Sequence, residues 1–195
     1  MLLTITTTRA PATDLGYLLH KHPDKLQSFA VAAGQAHVFY PEAAPERCTA
    51  ALLLEVDPIG LVRDRKNAGK DIALGQYVND RPYAASSMLA VAIKEAFRTA
   101  LTGRCDARPA LAASRIALTI DVPALRCRGG DAIAQRLFEP LGWTVEATRN
   151  PLTPPEWGDS PYLGLRLTGE LRLADALNHL YVLLPVLDDA KHYWV

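Results

Sequence analysis

Tyr162-Leu-Gly-Leu-Arg-Leu-Thr-Gly-Glu-Leu-Arg-Leu173 runs straight into Ala174-Asp-Ala-Leu-Asn-His-Leu-Tyr-Val-Leu-Leu-Pro-Val-Leu-Asp188. Leucines at 163, 165, 167, 171 and 173, with Gly169 interrupting the series, give the period of a strand, either one long strand or a tight hairpin around Thr168–Gly169. The second segment is apolar almost all round, which predicts a helix buried at the centre of the fold. Working back, Arg115–Val122 alternates as a strand, and Gly129–Gly130–Asp131 opens a helix that ends by Pro140–Leu141–Gly142. Trp143–Thr148 reads as the next strand and Asn150–Pro161 as a proline-rich loop. Single helices therefore alternate with strand pairs. That order disfavours an all-parallel sheet and predicts an α+β fold, mostly antiparallel sheet packed by about four helices.

The amino-terminal half fits the same class. Residues 2–8 alternate apolar residues with threonine, as a strand does. Asp14 is placed to cap a short helix, Leu15 to His22, closed by Pro23. Ser28–Val31 and Ala36–Tyr40 flank Ala33–Gly34 as a hairpin, and Thr49–Val56 reads as a strand buried on both faces. Residues 63–76 are charged and glycine-bearing, which predicts a mobile loop. Ser86 or Ser87 can cap a helix over 87–101, with Leu89, Ala92, Ile93, Ala96, Phe97 and Leu101 on one face and Gly103 beyond its end. A boundary near 103–112 divides the chain into an N-terminal lobe, 1–105, and a βαββα lobe, 106–195, unless the two form one continuous domain. Asp131-Ala-Ile and Asp175-Ala-Leu both open helices that reach a proline, a weak internal echo.

Composition narrows the function classes. The chain has 195 residues, 49% of them apolar and 22% charged, which suits a globular protein. Basic and acidic residues balance at 21 each, and only Arg63–Arg65–Lys66 and Arg126–Arg128 form basic clusters. Direct RNA binding is thus not signalled. Cys48, Cys105 and Cys127 stand far apart, which argues against disulfide and zinc frameworks. The first residues lack a signal-peptide pattern, and the longest apolar run, Leu180 to Leu187, is far short of a membrane span. The expectation is a cytoplasmic protein.

Neither phosphate-binding nor dinucleotide-binding glycine motifs occur, and no nucleophile elbow. Gly129–Gly130 could offer amides to an anion, but a turn into a helix is the plainer reading. His20-x-His22 is at most half a metal site, since residues two apart on a helix end point different ways. Asp188, Asp189 and His192 are ligand types read more simply as a polar patch. No catalytic, cofactor-binding or metal-binding residue is predicted. Two stretches exceed what a scaffold needs, because both combine aromatic rings with charges, the residue types that anchor interfaces. One is Gln76–Ser87, with Tyr77, Asn79, Asp80, Arg81 and Tyr83 as contact candidates. The other is the tail, with Asp188, Asp189, Lys191, His192 and Trp194.

Five segments carry a family resemblance: Leu2–Thr8, Ala12–Pro23, Ala36–Glu42, Gln76–Tyr83 and Leu177–Val195. Together they resemble, in order and across the whole chain, the amino-terminal half of the bacterial 3′-terminal RNA ribose 2′-O-methyltransferases of RNA repair. The resemblance implies that S-adenosylmethionine and a divalent metal belong to the carboxy-terminal half of such proteins, beyond this segment. For this half it implies a partner, a polynucleotide kinase–phosphatase–ligase, whose ligase component it activates without catalysis of its own. RNA would then be present in the joint assembly. The reading from another class is an RNA-end-binding module, or a small hydrolytic or metal-dependent enzyme acting on RNA. A deep cleft lined by His20, His22, Asp188 and Asp189 would favour that rival.

Overall fold

The computed structural model describes residues 1–32, 34–57, 86–127 and 129–188. Among these residues seven strands, β1 (Leu2–Thr7), β2 (Gln27–Val31), β3 (Gly34–Ala43), β4 (Cys48–Val56), β5 (Ile116–Arg126), β6 (Thr144–Pro151) and β7 (Asp159–Leu171), form one sheet in the order β2-β3-β4-β1-β5-β7-β6. Every pairing among the described residues is antiparallel. The helices among the described residues are α1 (Leu15–Leu19), α2 (Ser86–Ala96), α3 (Arg98–Leu101), α4 (Pro109–Ala113), α5 (Gly130–Phe138) and α6 (Leu173–Asp188). The α+β architecture expected from strand pairs and single helices is the one that forms.

The sheet is joined at its centre by β1 and β5, where Ile5 pairs with Ile120. Each isoleucine ends a Leu-Thr-Ile tripeptide, Leu3–Ile5 and Leu118–Ile120, and the two tripeptides run in opposite directions across the join. The topology repeats around it. β1, β4 and β3 on one side correspond to β5, β7 and β6 on the other, with α1 matching α5 and α2 matching α6. The Asp-Ala echo instead relates α5 to α6, which hold different places in this repeat.

Period-two alternation explains why one face of the sheet is core. Leu3, Ile5, Val38, Leu52, Leu54, Leu118, Ile120, Leu165 and Leu167 are buried against the helices. The opposite face carries a row of threonines in register across five adjacent strands: Thr49, Thr6, Thr119, Thr168 and Thr144. In the next row Asp121 accepts a hydrogen bond from Arg166 Nε at 2.6 Å. At the β2–β3 turn, Gly34 has φ +146°, and a Cβ there would collide with the Glu55 carbonyl. Only glycine fits that corner.

Several local expectations are corrected. The helix starting at Leu15 ends at Leu19, because His20 turns left-handed at φ 55° and the Lys21 amide bonds the Gly16 carbonyl at 3.0 Å. The 87–101 helix is broken at Phe97, whose ψ of 28° separates α2 from α3. Ser86 and Ser87 lie buried within α2 rather than capping it. Asn150–Pro161 is only partly loop, since β6 runs to Pro151 and β7 begins at Asp159. β6 is an edge strand, where a proline costs no ladder bond on its free side. Tyr162–Leu171 belongs to one long strand, with no hairpin at Thr168–Gly169. The final helix is not buried all round: Leu180, Leu184 and Leu187 are buried, but Val182 and Val186 face outward. The 63–76 loop lies outside the described residues. Among those described, no helix is long and apolar enough to cross a membrane.

Candidate functional site

The segment from Thr13 to Asp24 lines a cleft of about 600 Å³ together with Ala43 and Cys105–Ala107. Its framework is α1. Asp14 is buried at the start of that helix and makes no capping bond; its carboxylate instead accepts a hydrogen bond from Arg108 Nε at 3.2 Å. Arg108 stands just before α4, and its guanidinium lies 4.5 Å over the ring of Tyr17. The hydrogen bond Arg108 donates to Asp14, reinforced by the carboxylate's charge, raises the Arg108 pKa further. Tyr17 itself is 50% exposed. A ring stacked by a pinned guanidinium is a rigid, half-open contact surface.

His20 Nε2 lies 2.8 Å from the Arg104 carbonyl and donates to it, so its proton is on Nε2 in the neutral ring. His22 Nδ1 accepts the Asp24 amide at 3.2 Å. Each imidazole has thus spent one nitrogen on the backbone. Both line the cleft, yet among the described residues no three His, Cys, Asp or Glu side chains cluster as a metal would need. The Cys105 thiol donates to the Tyr17 carbonyl at 3.4 Å. Burial lowers the Lys21 pKa, and its ammonium sits 5.9 Å from the Phe29 ring centre. With Pro23, Ala43 and Ala107 as apolar walls, the cleft suits a side chain presented by another molecule.

The glycine pair is accounted for by the turn. Gly130 is at φ +67°, and a Cβ on Gly129 would meet the Ile133 side chain. The Gly130 amide donates to the Cys127 carbonyl at 3.3 Å, so it is not held out to an anion. The neighbouring cation is also occupied, since Arg149 reaches Asp131 at 3.1 Å and Asp159 at 3.7 Å.

Of the contact candidates read from sequence, Tyr77, Asn79, Asp80, Arg81, Tyr83, Asp189, Lys191, His192 and Trp194 lie outside the described residues. Asp188 closes α6, but its side chain is likewise outside them. Sequence reasoning missed two surface aromatics. Tyr17 gave no signal, because its partner Arg108 is distant in the chain. Trp157 did: a tryptophan amid Pro151, Pro154, Pro155 and Pro161 stands where the chain cannot readily bury it.

A family model described as "RNA repair, ligase-Pnkp-associating, region of Hen1" matches residues 1–195. A chain of the solved "Structure of the Pnkp1/Rnl/Hen1 RNA repair complex" superposes with TM-score 0.62 at 15% identity, covering 100% of this chain and 44% of that one. A chain of the "Structure of Pnkp1/Rnl/Hen1 complex" gives TM-score 0.60 at 16% identity, covering 96% and 41%. At those identities the likeness is one of fold, and this chain spans less than half the length of the chains it matches. No curated protein matches. The match over every residue shows that the chain belongs to the family of the RNA repair, ligase-Pnkp-associating region of Hen1.

Proposed function

We propose that this chain is a non-catalytic activator that grips the ligase component of a polynucleotide kinase–phosphatase–ligase during RNA repair. The observation that carries the reading is the whole-chain match to a region described as associating with such a ligase. The balanced charge of the chain and the half-open Tyr17–Arg108 surface support a protein partner over a nucleic acid. S-adenosylmethionine and a divalent metal are assigned to the carboxy-terminal half of such proteins, and this segment uses neither. Activation follows from differential binding. A nucleotidyltransferase-type ligase must close around ATP, and a partner that binds the closed form more tightly shifts the population toward it.

Arg81 and Trp194 remain assigned to the contact surface together with the other candidates on their two stretches. The reading is tested by mixing purified chain with the purified kinase–phosphatase–ligase and following co-elution. A stable complex is expected. Separate elution at micromolar concentrations of both proteins would remove the partner from the account.

A further inference from the structure

The two described tryptophans have opposite surroundings. Trp143 is 3% exposed and donates its indole N–H to His179 Nδ1 at 3.1 Å, as a core tryptophan should. Trp157 is 67% exposed, and no hydrogen bond of its indole is seen among the described residues. It stands on the tip joining β6 to β7, which also carries the exposed Leu152.

The tip is held in shape. Pro151 pairs with Asp159 at its base, the Leu152 amide donates to the Gly158 carbonyl at 2.8 Å, and the Trp157 amide donates to the Pro154 carbonyl at 3.0 Å. Arg149 ties the same base to α5 by bridging Asp131 and Asp159. A large ring on a pre-shaped tip loses little conformational freedom on binding, and tryptophan is the residue most enriched at binding hot spots.

We infer that the Leu152–Trp157 tip is a docking anchor that inserts into an apolar pocket on the ligase-bearing partner, with a cation at the pocket rim facing Glu156. The inference rests on the reading given under Proposed function and names a contact surface for it. Charge selects a protein over RNA as the occupant. Single-strand platforms pair a stacking ring with free cations. Here Arg149 is neutralised by two carboxylates, and the exposed Glu156, next to Trp157 in the chain, adds a negative charge that repels phosphate.

The test uses the whole chain with Trp157→Ala and, separately, Trp157→Phe. Affinity for the purified kinase–phosphatase–ligase is measured by calorimetry and melting temperature by thermal scan. Trp157→Ala should weaken binding by about 30-fold or more, with the phenylalanine variant in between and both melting temperatures close to wild type. Wild-type affinity in the alanine variant overturns the anchor while leaving the partner reading intact. Loss of affinity together with a large fall in melting temperature also overturns it, because the ring is then structural. No binding by the wild-type chain removes both. A parallel titration with a labelled single-stranded RNA closes the remaining route: an RNA affinity that falls while protein affinity holds makes the tip an RNA platform, contrary to the inference.

Discussion

The Arg108 guanidinium bridges the Asp14 carboxylate, at 3.2 Å, and the Tyr17 ring, at 4.5 Å, linking α1 to the start of α4 across 94 residues of chain. Because Asp14 is buried, it needs this partner. Arg108→Ala should lower the melting temperature and free the Tyr17 ring. Asp14→Ala should do the same, and the double variant should lose less than the two single losses added together. Thermal unfolding of the four proteins decides it; strictly additive losses would mean the pair is not coupled.

The two faces of α6 should respond differently. Leu180 is fully buried, so Leu180→Ala is expected to cost about 2–5 kcal/mol of folding free energy. Val182, two residues on and 58% exposed, should change stability by no more than about 0.5 kcal/mol when replaced by Ser. Denaturant titrations measure both. Similar costs at the two positions would place the outer face against other structure.

His179 gives the fold a pH response. Burial lowers its pKa below the usual 6.5, with Asp175 opposing, and the hydrogen bond it accepts from Trp143 requires an unprotonated Nδ1. Above 6.5 the ring is neutral both folded and unfolded, and its contribution is complete. As pH falls below that value the unfolded chain takes up the proton first, so stability declines until the folded-state pKa is reached. Between about pH 7.5 and about pH 5.5, wild type should lose more stability than His179→Gln, whose amide does not titrate. Equal losses would show that the ring is solvated.

Burial, and secondarily the Glu42 charge, push the Cys48 thiol up to about 11. Cys48 is completely covered, and Cys105 and Cys127 nearly so. Since the thiolate is the reactive form, the native protein should react with a thiol reagent only on the timescale of unfolding. In denaturant all three thiols should react at once. A fast-reacting thiol in the native protein would contradict the packing around these residues.

What the sequence disclosed follows from the range of each signal. Period-two alternation is local, so β1 was readable within about a residue, as were the start of β5 and the Gly34 turn of the hairpin; β5 runs four residues past Val122, to Arg126, through a register shift that interrupts the alternation. The lateral order that brings β5 beside β1 was not, because strand adjacency depends on contacts distant in sequence. The outward valines of α6 were misjudged for a related reason. Apolarity on every side does not say which side another element covers. Asp14 illustrates the limit most directly: its type and place suit a cap, yet a distant arginine takes its carboxylate.

If binding of this chain activates the ligase, the gain must show in the first covalent step, ligase adenylylation. Purified kinase–phosphatase–ligase is incubated with ATP labelled at the α-phosphate, with and without a stoichiometric excess of the wild-type chain. Covalent AMP on the ligase is then counted. Adenylylation should rise with added chain and saturate as the complex forms. The same level of ligase-bound AMP with and without the chain, under conditions where the complex is shown to form, would contradict it.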